Sequence, residues 1–530
     1  MPPHGVSCSL YHRLCAFSSL INRCSVRHLE SQASFANAKR PKQLFGFGVA
    51  ATGALGLKRF IVAEGNMLLL IYLQTNIGAL PPPFTAYSPV NLVLPGVKQF
   101  DVKNVACGFG FLNSKGVWSI AYPMFAFFWY LLSLKLSWVV IFPSLQSLPN
   151  AVHGATPSGV QFDLLPEPQP IELPSDEYVP FAIACGRAHT LVACKPRASD
   201  GPHRIYSFGN NTYGQCARQV IRDEIYSSEN ATITQVPAPE TLTAVKQVVC
   251  GQDHSLVLTE DGHVFSAGLG TDGQTGLGNT DCVDQLTRVR GAIKDVFIEQ
   301  LSSRGDTVLA LSRCGRLFAW GNNEYGQIWT IPDEIQVIEP VELPLREYVD
   351  SMAHRISPFP DSTDFKLGNL ISIASAGSMC AVVDDFGQAS LKLLLPRTAT
   401  VSVLVWGFGC LGLGPKTYHC DRPRLIPPAL FAPTLPRSEH RIVEVVPGLH
   451  HFITRSNSGL LWSWGAPRGA VGCLGLGKLH KEGHPISAKR SDVEVPKAAQ
   501  TYPAQISLPV EVLQVSCGVD HTLVLGKRFG

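Results

Sequence analysis

The stretch "VVCGQDHSLVLTEDGHVFSAGLGTDGQTGLG", residues 248–278, carries a Cys-Gly, a His at the head of an apolar run, an Asp-Gly turn and a Gly-rich tail. Read alone, it could be a catalytic site or a nucleotide loop. Self-similarity at a long period outranks any local motif, and this stretch recurs. Its first half returns as "VACGFGF" (Gly108), "IACGRAHTLVA" (Gly186) and "VVCGQDHSLVL" (Gly251), then "SSRGDTVLAL" (Gly305), "ASAGSMCAVV" (Gly377), "VVPGLHHFIT" (Gly448) and "VSCGVDHTLVL" (Gly518). Its second half, a Gly followed five residues later by another, returns at Gly48/Gly53, Gly209/Gly214, Gly268/Gly273, Gly321/Gly326 and Gly407/Gly412, and more loosely from Gly465.

Between the halves sit hairpin signals, Asp261-Gly262, Cys314-Gly315, Phe386-Gly387 and Ser458-Gly459, flanked by apolar residues. Each unit reads as strand, strand, tight turn, strand, at a spacing of roughly 50 to 75 residues, the size of a four-stranded propeller blade. The fold class is therefore all-β: a seven-bladed propeller. Its end phases predict how it closes. The last copy lacks an aromatic-Gly strand and "KQLFGFG" supplies one, so Leu44–Phe47 should pair with the blade holding Cys517–Leu525 and leave no large open edge.

Composition agrees. The chain has 530 residues, 45% hydrophobic and 16% charged, with 47 Gly and 39 Pro, which favours a turn-rich β protein over a disordered one. A net charge of +3 gives no basic stripe for DNA. Fifteen cysteines without any Cys-x-x-Cys point to a reducing compartment rather than to zinc or a disulfide framework. No metal or cofactor is expected.

The tandem "CGRAHTL", "GNNTYGQC", "CGQDHSL", "GTDGQTGLG" and closing "CGVDHTLVL" resemble the regulator of chromosome condensation family, over about residues 44–60, 91–112 and 175–527. The resemblance implies guanine nucleotide exchange on a GTPase, without covalent chemistry. For the mitochondrial branch of the family, it implies exchange toward a dynamin-like GTPase of the inner membrane. The alternative implied is a scaffold in mitochondrial ribosome assembly, with partners that pseudouridylate and mature the large-subunit rRNA. Residues 1–29, with Arg13, Arg23 and Arg27 and no acidic residue, have the bias of a mitochondrial presequence, so residues 1–40 are read as targeting and 41–530 as propeller.

Two tempting chemistries fail at this level. Gly268-x-Gly270-x-x-Gly273 and Gly407-x-Gly409-x-x-Gly412 match a dinucleotide loop, but nothing downstream opens a helix, so these are turn glycines. His189, His254, His451 and His521 invite an acid/base role, yet counting from the repeat Gly puts Phe111, Val308 and Cys380 at the same place in sister units. A site that accepts those residues is a packing site, with each imidazole expected to bond backbone inside its own blade. Cys185, Cys250 and Cys517 read as small core residues.

Function is left to the loops at the ring faces. The candidates are Asn210, Asn211, Thr212, Asp272, Asn322, Asn323 and Glu324 between paired glycines, with Asp253 and Asp520 before a repeat His. Three segments break the pattern and are read as atypical insertions: 66–90, 113–150 and 389–404. Residues 117–142, "VWSIAYPMFAFFWYLLSLKLSWVVIF", stand where the second blade should continue. They are long enough to span a bilayer, so either inserted sequence disrupts one blade or an anchor allows inner-membrane association.

Overall fold

The structure is a computed structural model and describes residues 42–49, 85–92, 102–107, 126–131, 137–142, 154–155, 161–162, 169–171, 173–187, 189–198, 201–221, 233–356, 367–385, 403–432, 441–466, 472–477 and 499–528. The protein is an all-β propeller. Its described strands form seven four-stranded antiparallel sheets and one short pair, Gly154–Ala155 with Gln161–Phe162. From the inside outward, sheet I is Val102–Cys107, Ala126–Leu131, Ser137–Phe142 and Gln169–Ile171; sheet II is Tyr178–Cys185, His189–Pro196, Arg204–Gly209 and Thr234–Gln235. Sheet III is Val245–Cys250, His254–Thr259, Val264–Gly268 and Val283–Arg288; sheet IV is Ile298–Ser302, Thr307–Ser312, Leu317–Asn322 and Gln336–Leu343. Sheet V is Leu370–Ala376, Met379–Asp384, Val403–Phe408 and His419–Ile426; sheet VI is Ile442–Pro447, His451–Ser456, Leu461–Gly465 and Gln500–Ile506. Sheet VII is Val510–Cys517, His521–Arg528, Lys42–Val49 and Thr85–Asn91, with Leu44 opposite Leu525 and Phe47 opposite Thr522.

The second strands of sheets III, IV and V are buried at every position, because a neighbouring sheet covers each face. The fourth strands are only partly buried: Leu286 alone is buried in Val283–Arg288, and His419, Asp421, Arg422 and Arg424 are exposed in His419–Ile426. The apolar core therefore lies between sheets. Ala193, Val248 and Val257 join II to III, Leu256, Val308 and Trp320 join III to IV, and Phe47, Ile453 and Val524 join VI to VII. Helix α1 (Leu345–Ile356) follows the last strand of sheet IV and contributes Leu345 and Val349 to the core between IV and V.

The reading of a disrupted blade is corrected here. Residues 126–131 and 137–142 pair as a hairpin inside sheet I, with Phe128 opposite both Val105 and Val140, and Val140 opposite Pro170. An uninterrupted apolar run suits a strand covered on both faces as well as it suits a membrane span, and here the backbone groups are satisfied by the ladder. Among the described residues no helix is long and apolar enough to cross a membrane. Residues 85–90 form part of the outer strand of sheet VII, with Val90 opposite Gly46. Val403 and Leu404 open the third strand of sheet V. The rest of those three segments, residues 1–40 and the Phe386-Gly387 turn lie outside the described residues.

The innermost strands line one axial cavity of about 440 Å³, with residues from all seven sheets on its wall. Their facing edges could not form a continuous ladder without flattening the ring, so side chains bridge them. The Gln247 amide pairs with both backbone groups of Leu301, donating to its O at 3.0 Å and accepting from its N at 3.0 Å. Gln514 does the same to Val105, at 3.2 and 3.1 Å. A carboxamide reproduces a peptide group, which makes it a substitute for a strand edge.

Candidate functional site

Both halves of the repeat converge on one end of the ring. Antiparallel register sets His189 opposite Gly209, His254 opposite Gly268, His451 opposite Gly465 and His521 opposite Gly48. The Cys-Gly turns and the loops after the aromatic-Gly strands therefore share a face.

At that face His189, His254 and His451 are each stapled to the following sheet rather than to their own backbone, which corrects the expectation for these three. His189 Nε2 lies 3.0 Å from Ser255 Oγ, His254 Nε2 3.2 Å from Ser303 Oγ, and His451 Nε2 3.4 Å from Thr522 Oγ1. The tautomer follows from proton counting. Ser255 donates its one hydrogen to Gln215 O at 2.7 Å, Ser303 donates to Thr307 O at 3.1 Å and Thr522 donates to Cys473 O at 3.0 Å, so each imidazole is the Nε2–H donor. Burial pushes all three imidazoles down to about 3, so they are neutral.

The repeat glycine is required by that ring. A Cβ at Gly186, Gly251 or Gly448 would sit 2.1, 2.0 or 2.2 Å from Cε1 of His189, His254 or His451. The paired glycines answer to backbone geometry instead: Gly268 and Gly273 have φ of 112° and 76°, the first as the last residue of its strand and the second in the loop that follows. Register also corrects the equivalences counted along the sequence. The partners of Gly321 and Gly407 are Thr307 and Met379, not Val308 and Cys380, because those two turns are one residue shorter. There the neighbouring turns pack directly, and a Cβ on Gly305 would lie 2.8 Å from Gly377 Cα. Gly518 closes its turn by donating to His521 O at 2.8 Å. Gly108 and Phe111 lie outside the described residues.

The partner candidates divide. Asn211 is buried and organises its loop, donating to Arg218 O at 3.0 Å and Gln219 O at 3.2 Å and accepting from Cys216 N at 3.0 Å. Asn323 is its equivalent, bound to Ile331 O, Glu334 O and Ile328 N at 2.8, 2.7 and 2.6 Å. Neither presents a free amide to a partner. Asp253 is 4% exposed and holds a two-point ion pair with Arg187, whose Nε donates to its Oδ1 at 3.1 Å. Glu324 is exposed, while Asn210, Thr212, Asp272, Asn322 and Asp520 are half-buried at the loop face.

Sequence reasoning missed three neighbours. Arg187 and Gln252 each follow a repeat glycine, and Asp306 precedes the shortened strand start. Gln252 Nε2 donates to Asp306 Oδ2 at 2.7 Å. Burial, with Asp253 and Asp272 nearby, raises the Asp306 carboxyl to about 7. Aligning the turns rather than the His would have exposed this row of polar residues. The Cys thiols behave as core: burial pushes Cys107 and Cys250 up to about 12 and raises Cys185 and Cys517 as well. Among the described residues no cluster could hold a metal.

The arrangement is a propeller whose loop face is lined by polar residues. Models of the regulator of chromosome condensation (RCC1) repeat match residues 202–258, 245–274 and 458–525. The mouse RCC1-like G exchanging factor-like protein is 31% identical over 93% of this chain and 89% of its own length. The crystal structure of human WBSCR16 superposes with a TM-score of 0.67 at 30% identity, covering 93% of this chain and all of that one. The mouse secretion-regulating guanine nucleotide exchange factor is 24% identical over 61% of this chain and 72% of its length. The chain belongs to the RCC1-like family, with the G exchanging factor-like proteins among its relatives.

Proposed function

We propose that the protein is a mitochondrial guanine nucleotide exchange factor for a dynamin-like GTPase, built on a seven-bladed ring closed by its own two ends. The observation that carries the reading is the single loop face onto which both repeat halves converge, held rigid by staples between sheets, in a chain whose relatives bear exchange-factor names. The pairing of Lys42–Val49 with His521–Arg528 and the cavity walled by all seven sheets support the ring, and the acid-poor, Arg-bearing residues 1–29 support the location. Exchange needs no bond chemistry. A rigid face that binds the nucleotide-free GTPase more tightly than the loaded form shifts the population and releases nucleotide.

The test is the release rate of a fluorescent GDP analogue from a dynamin-like GTPase of the inner membrane. Catalytic amounts of the full chain should accelerate release, and charge reversal at Glu324 and Asp272 should remove the effect without unfolding the ring. An unchanged release rate would defeat the exchange reading and favour the scaffold role in ribosome assembly, which affinity capture of rRNA pseudouridylation factors would then have to show.

A further inference from the structure

Arg304, in the turn after the innermost strand of sheet IV, reaches across the axis of the ring. Its Nη1 donates to Cys107 O of sheet I at 2.8 Å and to Cys185 O of sheet II at 3.3 Å. Those two carbonyls occupy both hydrogens of that nitrogen. The Nε–H is buried and has no acceptor among the described residues, and Nη2 makes no hydrogen bond there either. No carboxylate of the described residues pairs with this guanidinium. The described residues of the cavity wall carry two other formal charges, each answered in place: Lys246 by Glu299 at 2.5 Å and Glu444 by Arg455 at 2.7 Å. Among the described residues that line the cavity, Arg304 is thus the one charge without a counter-charge, and its Nε–Nη2 edge, without an acceptor there, is the fork that takes two oxygens of one anion.

We propose that Arg304 is the anchor of an oxyanion site in the axial cavity, taking a phosphate or a small carboxylate two-pronged on its Nε–Nη2 edge. Removing a cation from water is unfavourable unless a counter-charge and hydrogen bonds replace the solvent. An anion there would supply both. The cavity of about 440 Å³ falls within the roughly 300–1,000 Å³ usual for small-molecule sites, ample for either anion. The site is independent of the exchange reading, since it lies on the axis and not on the loops assigned to the GTPase.

The experiment is calorimetric titration of the full chain, prepared in anion-poor buffer, with inorganic phosphate and, separately, with succinate. Saturable one-to-one binding of either is expected, and which anion binds tighter identifies the source. Arg304→Lys keeps the charge and can still reach the carbonyls but lacks the fork, and should weaken binding by about tenfold or more. An independent reading needs no variant: the Arg304 Nε–H proton resonance should shift on saturation. Absence of saturable binding to the wild-type chain, a Lys variant that binds as well, or an unmoved Nε–H resonance would each overturn the site.

Discussion

The Oγ of Ser255 joins two groups of the preceding sheet at once, accepting from His189 Nε2 at 3.0 Å and donating to Gln215 O at 2.7 Å. One hydroxyl therefore ties the His turn and the Gly-rich loop of sheet II to the second strand of sheet III. Ser255→Ala leaves a buried imidazole N–H and a buried carbonyl without partners and should destabilise by about 1–3 kcal/mol. Urea unfolding with unchanged far-ultraviolet circular dichroism is the measurement, and a midpoint equal to wild type would show the staple to be irrelevant.

His254 is held the same way by Ser303 at 3.2 Å. His254→Val should lower stability by about 1–3 kcal/mol while sparing partner binding. Lost binding at full stability would instead make this imidazole a recognition residue.

Gly251 is expected to resist even Ala, because the new methyl would meet Cε1 of His254 at 2.0 Å and the ring is locked between sheets. Overpacking of this kind costs about 1–3 kcal/mol or more. The double variant Gly251→Ala/His254→Ala should be less destabilised than the sum of its singles, since removing the ring removes the clash. Strict additivity in thermal unfolding would refute the steric account.

Acid should weaken the ring through His189, His254 and His451. Their folded values are lowered to about 3 from an ordinary 6.5. Between those limits the unfolded chain binds more protons than the native one, so stability is full above pH 6.5 and is lost as pH falls. Each imidazole contributes a slope of about 1.4 kcal/mol per pH unit in that window. Replacing His254 with Gln should flatten the profile between pH 6.5 and 4 relative to wild type, and an identical profile would count against neutral burial.

Asp306 works in the opposite sense. Its folded value is raised to about 7, so between its ordinary 3.8 and 7 the native chain binds the extra proton and this group's contribution declines as pH rises. Asp306→Asn, which keeps the Gln252 contact while removing the charge, should raise the melting temperature at pH 8 more than at pH 5. An equal or reversed difference would contradict the assignment.

The repeat and its period were legible in the sequence because each unit must bury two sheet faces and therefore repeats the same apolar, Gly and hairpin pattern. Three things were not. Residues 126–142 look alike as span or strand by hydropathy, and only pairing with Val105 and Pro170 decides between them. Equivalence at Thr307 and Met379 depends on a turn one residue shorter, which counting from the glycine cannot detect. The loop asparagines looked identical in sequence, yet Asn211 and Asn323 turn inward while their neighbours stay at the surface. What the sequence determined by itself was the local unit and its recurrence, since these follow from periodicity along one chain. What only the tertiary structure decided was everything that passes between units: His189 to Ser255, Gln247 to Leu301 and Arg304 across the axis. Those partners are 66, 54 and 197 residues apart for His189–Ser255, Gln247–Leu301 and Arg304–Cys107, and only the packing of separate sheets brings them within hydrogen-bonding distance.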